Sequence, residues 1–469
     1  MKVLELYSGI GGMHYALRES GIAAKVVAAI DINPVANDVY HHNFPETALM
    51  NRNIQSINAQ ELTKLDADVI LMSPPCQPFT RLGLKKDALD NRTCSLLHIL
   101  NLIPELKSLK YILLENVKGF EMSAMRNKLV NCIENCGYIY RELILSPCQF
   151  GIPNTRHRYY LLAKRSNLKF CFKQSSVESS LPPELFESLP KSEHSVLAEK
   201  KGKINPRSGR LCYTLDNILE NTEQSRYSLP SKLLQKRAWV LDIRTSESSG
   251  SCCFTKGYGH YAEGTGSVYC PFTDDTIRSK YNEAGSREND SDTQMRILSD
   301  LKLRFFSPKE VCRLMCFPED FRFPKHITDR QKYRLLGNSI NIHVLIGISE
   351  LFYMFSKSGG IMIFFSWANF FSAWYFECQD SISSLIRLLS SCIFSISRYS
   401  WVFSDSNSSF CSMRFMRQLA AYPLFFRVRL RCFIRTISSR DSPRSFNCLF
   451  KSRTDIVTSS SSLMSRHGP

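Results

Sequence analysis

Over the first 165 residues short apolar runs alternate with amphipathic stretches. "VLEL" (3–6), "KVVAAID" (25–31), "DVILM" (68–72), "YILLEN" (111–116), "YIYRELIL" (138–145) and "RYYLLAK" (158–164) predict strands. Between them "MHYALRESG" (13–21) reads as an amphipathic helix that Gly21 ends. "PVANDVYHHNF" (34–44) reads as a helix with Pro34 in its first turn, and residues 94–106 and 122–136 carry helical patterns. Strands alternating with helices predict an α/β fold with a largely parallel sheet, whose ligand binds beyond the carboxyl ends of the strands.

From 166 to 300 the texture changes. Ser, Glu, Lys and Gly rise, periodicity weakens, and "KGKINPRSGR" (201–210) resembles a linker. This stretch is expected to form a smaller, loop-rich substrate domain. Order returns at 301–358, where "YRLLGNSINIHVLIGISELFYMF" (333–355) predicts a turn followed by a long apolar helix. The tail, 359–469, has no clean amphipathic period and reads as a disordered extension or a non-native stretch. It holds 25 serines, 12 arginines, one lysine and five acids. Its apolar run 361–376 is 16 residues long, short for a membrane span.

Composition narrows the class. A chain of 469 residues with 43% hydrophobic and 22% charged residues fits a soluble globular protein of two or three domains. Its formal charge of +17 favours a polyanionic partner, most often nucleic acid. Without the tail that charge is +9, from 47 basic and 38 acidic residues, so the argument weakens but holds. There are 17 cysteines and no apolar signal-peptide core behind "MKVLELYSGIGG". Free thiols in a reducing compartment are expected. The pairs Cys132/Cys136 and Cys312/Cys316 lack histidines at useful spacing, so no metal site is expected.

The candidate chemistry sits at strand ends. "YSGIGG" (7–12) follows the first strand, and such a glycine loop lets a ligand approach the backbone at the start of a helix. It is G-x-G-G, not the dinucleotide G-x-G-x-x-G. Asp31 ends the second strand, where an acid can grip ribose hydroxyls. Loop and acid together favour an adenosine ligand without a pyrophosphate. In "SPPCQPFT" (73–80) two prolines stiffen the turn that displays Cys76 at the sheet edge. A thiolate there can act as a nucleophile if positive charge or backbone amides lower its pKa. Glu115 follows the apolar "YILL" one strand over. Partial burial raises a carboxyl pKa and suits a proton donor. Arg156 and Arg158 stand two apart at a strand start, which predicts both guanidiniums on one face with His157 opposite.

Taken in order, "LELYSGIGGM", "AAIDIN", "SPPCQPFT", "LLENVKGF", "GIPNTRHRYY", "FSPKEVCRLMCFPEDF" and "RLLGNSINIHV" resemble the cytosine-5 methyltransferases. The resemblance covers residues 1 to about 357. "PCQPFT" and "CFTKGYGHYAEGTGS" (253–267) are similar to the eukaryotic branch whose substrate is transfer RNA, methylated at an anticodon-loop cytosine of tRNA-Asp. The family implies a Rossmann-like S-adenosylmethionine-dependent methyltransferase domain (1–165, completed by 301–358) and a target-recognition domain (166–300). It also implies a monomeric enzyme of the cytoplasm or nucleus, with S-adenosylmethionine as cofactor, no metal and tRNA as partner. By resemblance Cys76 attacks carbon 6 of cytosine and Glu115 protonates or hydrogen-bonds ring nitrogen 3. Arg158, supported by Arg156, holds the base and stabilises the thiolate. Ile10, Gly11 and Gly12 line the methionine part of the cofactor, Asp31 and Ile32 its ribose and adenine. Ile54 and Gln55 flank the base edge, and Ser339 closes the pocket. Two positions depart from the family pattern. Asn53 stands in place of its usual acid, which puts a contact to the adenine amino group in doubt, and His157 replaces a common leucine. A DNA cytosine-5 methyltransferase has the same chemistry, and a nucleic-acid-binding protein with this fold but weak catalysis is the third reading.

Overall fold

The computed structural model describes residues 1–75, 94–168, 170, 176–181, 193–220, 224–287 and 290–354. Cys76 and the 359–469 tail lie outside them. The described residues all fall in one compact unit, Met1–Asn369.

Seven strands form the main sheet: β1 (Lys2–Leu6), β2 (Lys25–Asp31), β3 (Leu49–Asn51), β4 (Val69–Met72), β5 (Tyr111–Val117), β6 (Tyr138–Leu145) and β7 (Arg158–Arg165). Their spatial order is β3-β2-β1-β4-β5-β7-β6. The pairs from β3 across to β5 are parallel. β7 runs antiparallel to both β5 and β6, so the sheet is mixed. The chain order jumps between β1 and its two neighbours, β2 and β4, and a crevice beyond the strand ends opens at such a switch point.

Helices α1 (Gly12–Glu19), α2 (Pro34–Asn43), α3 (Ala59–Leu65), α4 (Cys94–Leu102) and α5 (Ala124–Asn135) follow in chain order. Strand alternation sorts them. Val3, Ala29, Leu71 and Leu113 face one layer with Met13 and Ala16 of α1 and Val39 of α2. Leu4, Ala28, Ile70 and Ile112 face the other with Leu62 of α3, Ile99 of α4 and Leu129 of α5.

Glu5 is the exception on the first face. Its carboxylate is fully buried and accepts a 2.8 Å hydrogen bond from the Tyr40 hydroxyl, which shares another 2.8 Å bond with His14 Nδ1. Burial pushes the Glu5 carboxyl from its ordinary 4.5 up to about 8, although the Tyr40 bond opposes the rise. Between those two values the unfolded chain has released a proton that the folded chain keeps. The Glu5 contribution to stability therefore falls as pH rises through that window and levels off above it, opposed below pH 6.5 by His14, whose imidazole pKa burial lowers to about 4. Glu5→Gln should remove the Glu5 share of the pH dependence and leave that of the other groups. Denaturant unfolding from pH 5 to 9 should show the wild type losing a few kcal/mol relative to the variant. Parallel curves would mean that Glu5 does not titrate in this window.

The smaller region contains α6 (Glu193–Lys201), the antiparallel hairpin β8 (Lys203–Ile204) and β9 (Leu211–Cys212), α7 (Ser231–Arg237), β10 (Ile243–Arg244), β11 (Val268–Tyr269), α8 (Asp274–Gly285) and α9 (Ser291–Ser299). The linker-like "KGKINPRSGR" is thus a hairpin. Buried Asn205 closes its turn by accepting from the backbone N–H groups of Arg207 and Ser208. β12 (Arg304–Phe305) completes a second sheet, in the order β10-β11-β12. The chain then returns through α10 (Pro308–Leu314), α11 (Asp329–Asn338) and α12 (Ile342–Met354). Ile342, Leu345 and Ile348 of α12 join the core of the α1 face, and that core continues into Phe254, Tyr258 and Phe306 of the smaller region. The two regions therefore share one apolar interior.

Candidate active site

The glycine loop lies between β1 and α1. Gly11 caps α1 at φ +83°, and a Cβ there would stand 2.7 Å from the Phe44 ring. A Cβ on Gly12 would meet Ile340 at 2.7 Å and Ser339 Oγ at 3.2 Å, so Ser339 is brought directly onto the loop. Ile10 is buried beneath. The Ser8 hydroxyl is buried in the same loop without a hydrogen-bond partner among the described residues. Asp31, at the end of β2, ties the loop down. Its Oδ2 accepts from Gly9 N at 2.9 Å and its Oδ1 from Asn33 N at 2.8 Å. Burial raises the Asp31 carboxyl above its ordinary value against the pull of these bonds. Ile32, next in sequence, leaves an apolar side chain 64% exposed at the crevice.

Ile54 and Gln55 lie in a single helical turn after β3, Ile54 buried and Gln55 exposed. Asn53 caps that turn, its Oδ1 accepting from Gln55 N at 3.1 Å. A close-approach glycine cradle, an orphaned buried hydroxyl, an acid at the end of β2 and an exposed apolar shelf fit the aminoacyl and adenosine parts of S-adenosylmethionine.

One step along the sheet, β4 ends at Met72 and the chain is held on both sides. Ser73 Oγ donates to Tyr7 O at 3.2 Å, and Asn116 Nδ2 donates to Pro74 O at 3.2 Å. Pro75 is exposed and is the last described residue before Cys76. The described residues leading up to Cys76 are therefore tied at Ser73 to the glycine loop and at Pro74 to the end of β5.

Glu115 is buried near the end of β5, and Arg158 opens β7 opposite Val117. The diagonal across this antiparallel pair brings Arg158 Nε within 3.2 Å of Glu115 Oε1. Burial raises the Glu115 carboxyl, and the two guanidiniums of Arg158 and Arg156 limit the rise. Arg156 takes other partners. β7 begins only at Arg158, so strand alternation does not reach Arg156, and its side chain turns into the interior. It donates to Phe254 O at 2.8 Å, Cys253 Sγ at 3.2 Å, Gly337 O at 3.1 Å and Ser339 O. This one guanidinium ties the sheet edge to the smaller region and to the end of α11. Its Nε–H is buried without a partner among the described residues.

Cys253 is the residue that the sequence pattern did not single out. Burial alone would raise its thiol, but Arg156 and Arg158 hold it below the usual cysteine value. It carries no turn or charge signature, since both arginines reach it from about a hundred residues away in the chain. His157 is kept neutral over a wider range by burial and then by Lys118 and Arg158.

A seven-stranded mixed sheet with a glycine loop after β1, an acid at the end of β2 and polar groups at the ends of β4 and β5 defines the class as an α/β, Rossmann-like S-adenosylmethionine-dependent methyltransferase. The chain belongs to the C-5 cytosine-specific DNA methylase family, which matches residues 1–353, and within it to the branch of the eukaryotic tRNA methyltransferases. It is 45% identical over 350 residues to the tRNA (cytosine(38)-C(5))-methyltransferase of Spodoptera frugiperda, covering 75% of this chain and 97% of that protein. It is 38% identical over 376 residues to a DNA (cytosine-5)-methyltransferase of Dictyostelium discoideum, covering 75% of this chain and 93% of that protein. Among solved structures, a Spodoptera frugiperda DNMT2 mutant superposes with a TM-score of 0.65 at 42% identity, over 75% of this chain and 99% of that one. Membership of the family carries cytosine C5 methylation with S-adenosylmethionine as methyl donor and a cysteine as the attacking group.

Proposed function

We propose that this protein methylates carbon 5 of a cytosine in the anticodon loop of a tRNA, with tRNA-Asp as the preferred substrate, in the cytoplasm or nucleus. The observation that carries the chemistry is the buried Glu115–Arg158 pair at 3.2 Å, next to Asn116, which holds Pro74 two residues before Cys76. The tRNA-named relatives, matched over nearly their whole length, support the choice of substrate.

The target base leaves its stack and enters the crevice. Cys76 attacks carbon 6 as the thiolate. Burial holds Glu115 toward its protonated form, so it can give a proton or a hydrogen bond to nitrogen 3 and keep charge off the ring. Arg158 orients that carboxyl and the base, while Arg156 fixes the wall behind them. S-adenosylmethionine supplies the electrophilic methyl group when bound. Ile10, Gly11, Gly12 and Ser339 would hold its methionine part, Asp31 and Ile32 its ribose and adenine, and Ile54 and Gln55 the base edge. A base, working through water, then removes the carbon 5 proton, and the thiolate leaves.

The assignment is tested by bisulfite sequencing of tRNA and of genomic DNA after incubation with the full chain and cofactor. A protected anticodon-loop cytosine in tRNA, with none in DNA, is expected. Protection in DNA alone would favour the reading that the Dictyostelium relative's name suggests, and protection in neither would contradict both.

All the motifs of the family lie before residue 358. A chain ending at Ser358 should therefore fold and methylate tRNA as well as the full chain does. The tail's surplus of basic residues should add only a screened RNA attraction, so the full chain should lose affinity more steeply with salt. A truncated chain that does not fold, or folds without activity, would place residues beyond 358 in the working domain.

A further inference from the structure

One loop of the smaller region is built into the catalytic edge and displays an aromatic ring at its tip. Residues 253–266 start at the Arg156 clamp, where Cys253 Sγ and Phe254 O accept from the guanidinium. The loop then runs along α11. The Gly337 Cα lies so close to it that a Cβ there would stand 2.2 Å from Lys256 N. Four residues away on the same helix, the Tyr333 ring would meet a Cβ on Gly259 at 2.4 Å, and Gly259 holds φ +80°. From Gly337, which also accepts from Arg156, to Tyr333 is one helical turn, roughly 6 Å. The tip of the loop thus lies about one helical turn along α11 from the residue that Arg156 holds.

The loop is rigid. Tyr258 is buried, donates to Ser267 O at 2.7 Å and accepts from Phe306 N at 2.8 Å. Thr255 N donates to Thr265 O at 2.8 Å across the base of the loop. Phe254, Tyr258 and Ala262 point into the core, and Tyr261 between them points out, 61% exposed. Its orientation is set from two sides. Tyr261 N donates to Gly257 O at 3.0 Å, and the ring lies edge-on to His260 at a centroid distance of 4.4 Å. Basic groups belong to or touch the same loop: Lys256 is exposed on it, and Arg237 reaches it through a 3.1 Å ion pair with Glu263. A fixed, exposed aromatic face on a loop that carries cationic side chains is an arrangement that binds an unstacked base of a single-stranded segment.

We propose that Tyr261 is a stacking platform for the nucleobase that neighbours the target cytosine in the RNA loop. The proposal rests on the tRNA reading above and adds a residue that positions the substrate. When the target base is withdrawn from the loop, its neighbour loses a stacking partner, and the Tyr261 ring replaces it.

The test uses the full chain and a tRNA in which 2-aminopurine replaces the base on one side or the other of the target. Tyr261→Ala should raise the tRNA KM by about 5- to 100-fold, the scale of one lost base–aromatic stack. It should also abolish the change in 2-aminopurine fluorescence that wild type produces on binding. Binding of S-adenosylhomocysteine and thermal melting should stay as in wild type, because the ring is exposed. Tyr261→Phe and Tyr261→Trp should rescue both KM and fluorescence, since each keeps an aromatic face. An unchanged KM and fluorescence response in Tyr261→Ala would overturn the stacking role while leaving the tRNA reading intact. Failure of both aromatic variants to rescue would overturn it as well, by placing the effect in the hydroxyl or in the loop's folding. If wild type methylates no tRNA, the reading beneath the proposal falls first.

Discussion

Cys76→Ala eliminates methyl transfer while S-adenosylhomocysteine still binds: this is the largest effect expected of any single substitution. Carbon 5 of cytosine is not a nucleophile until carbon 6 carries the sulfur, so no slower route through the same pocket is open to the variant. A loss on the order of 10⁴-fold or more in the single-turnover rate is expected when an essential nucleophile is removed. The cofactor should be spared, because the loop around Gly11, the Asp31 carboxylate and Ser339 are held by bonds that do not involve Cys76. Equilibrium binding and single-turnover methylation measured side by side separate the two effects. Methylation within tenfold of wild type would remove Cys76 from the nucleophile's role.

The second large effect falls on Glu115. Glu115→Gln keeps the side chain's shape but cannot give a proton, and the chemical step should slow by roughly 10² or more. RNA affinity should change little, because most of it comes from phosphate contacts. The pH profile gives an independent sign. Burial raises the Glu115 carboxyl, and the working form is the protonated one. The wild-type rate should therefore decline as pH rises through that raised value, and the Gln variant should lose this limb of the profile. If the variant loses binding while its single-turnover rate survives, Glu115 serves the sheet and not the base.

The sequence patterns that proved readable were those that repeat. β1, β2, β4, β5, β6 and β7 each present four or more apolar or alternating residues, and all lie where the pattern puts them. β3 did not announce itself, because Leu49–Asn51 is a short edge strand whose side chains are half-buried or exposed. Nor does an apolar run encode direction, so the reversal of β7 between β5 and β6 emerges only from the pairing. In the smaller region each strand has two residues, too few for any period, and the folding signal is carried by single side chains such as Asn205 and Tyr258.

The candidate site divides along the same line. Glycine loop, Asp31 and Glu115 are local motifs at strand ends and could be placed from their neighbours. Cys76 is expected from its motif, and the residue lies outside the described part of the chain. The Arg156 clamp could not be foreseen, because its acceptors at Cys253, Phe254, Gly337 and Ser339 lie far along the chain. Spacing suggested a pair of arginines, and both act on Glu115 and Cys253; among the described residues Arg158 makes the ion pair with Glu115, while Arg156 also binds the walls together.

The most direct measurement uses tRNA-Asp carrying one 5-fluorocytosine at the target position in the anticodon loop. Fluorine at carbon 5 cannot leave as a proton, so the reaction should stop with the methylated base still attached to the protein. Incubation with S-adenosylmethionine should give a denaturation-resistant complex whose mass equals protein, RNA and one methyl group. Peptide mapping should place the bond on Cys76, and Cys76→Ala should give no complex. An adduct that forms with DNA and not with tRNA, or one attached to another residue, would contradict the account.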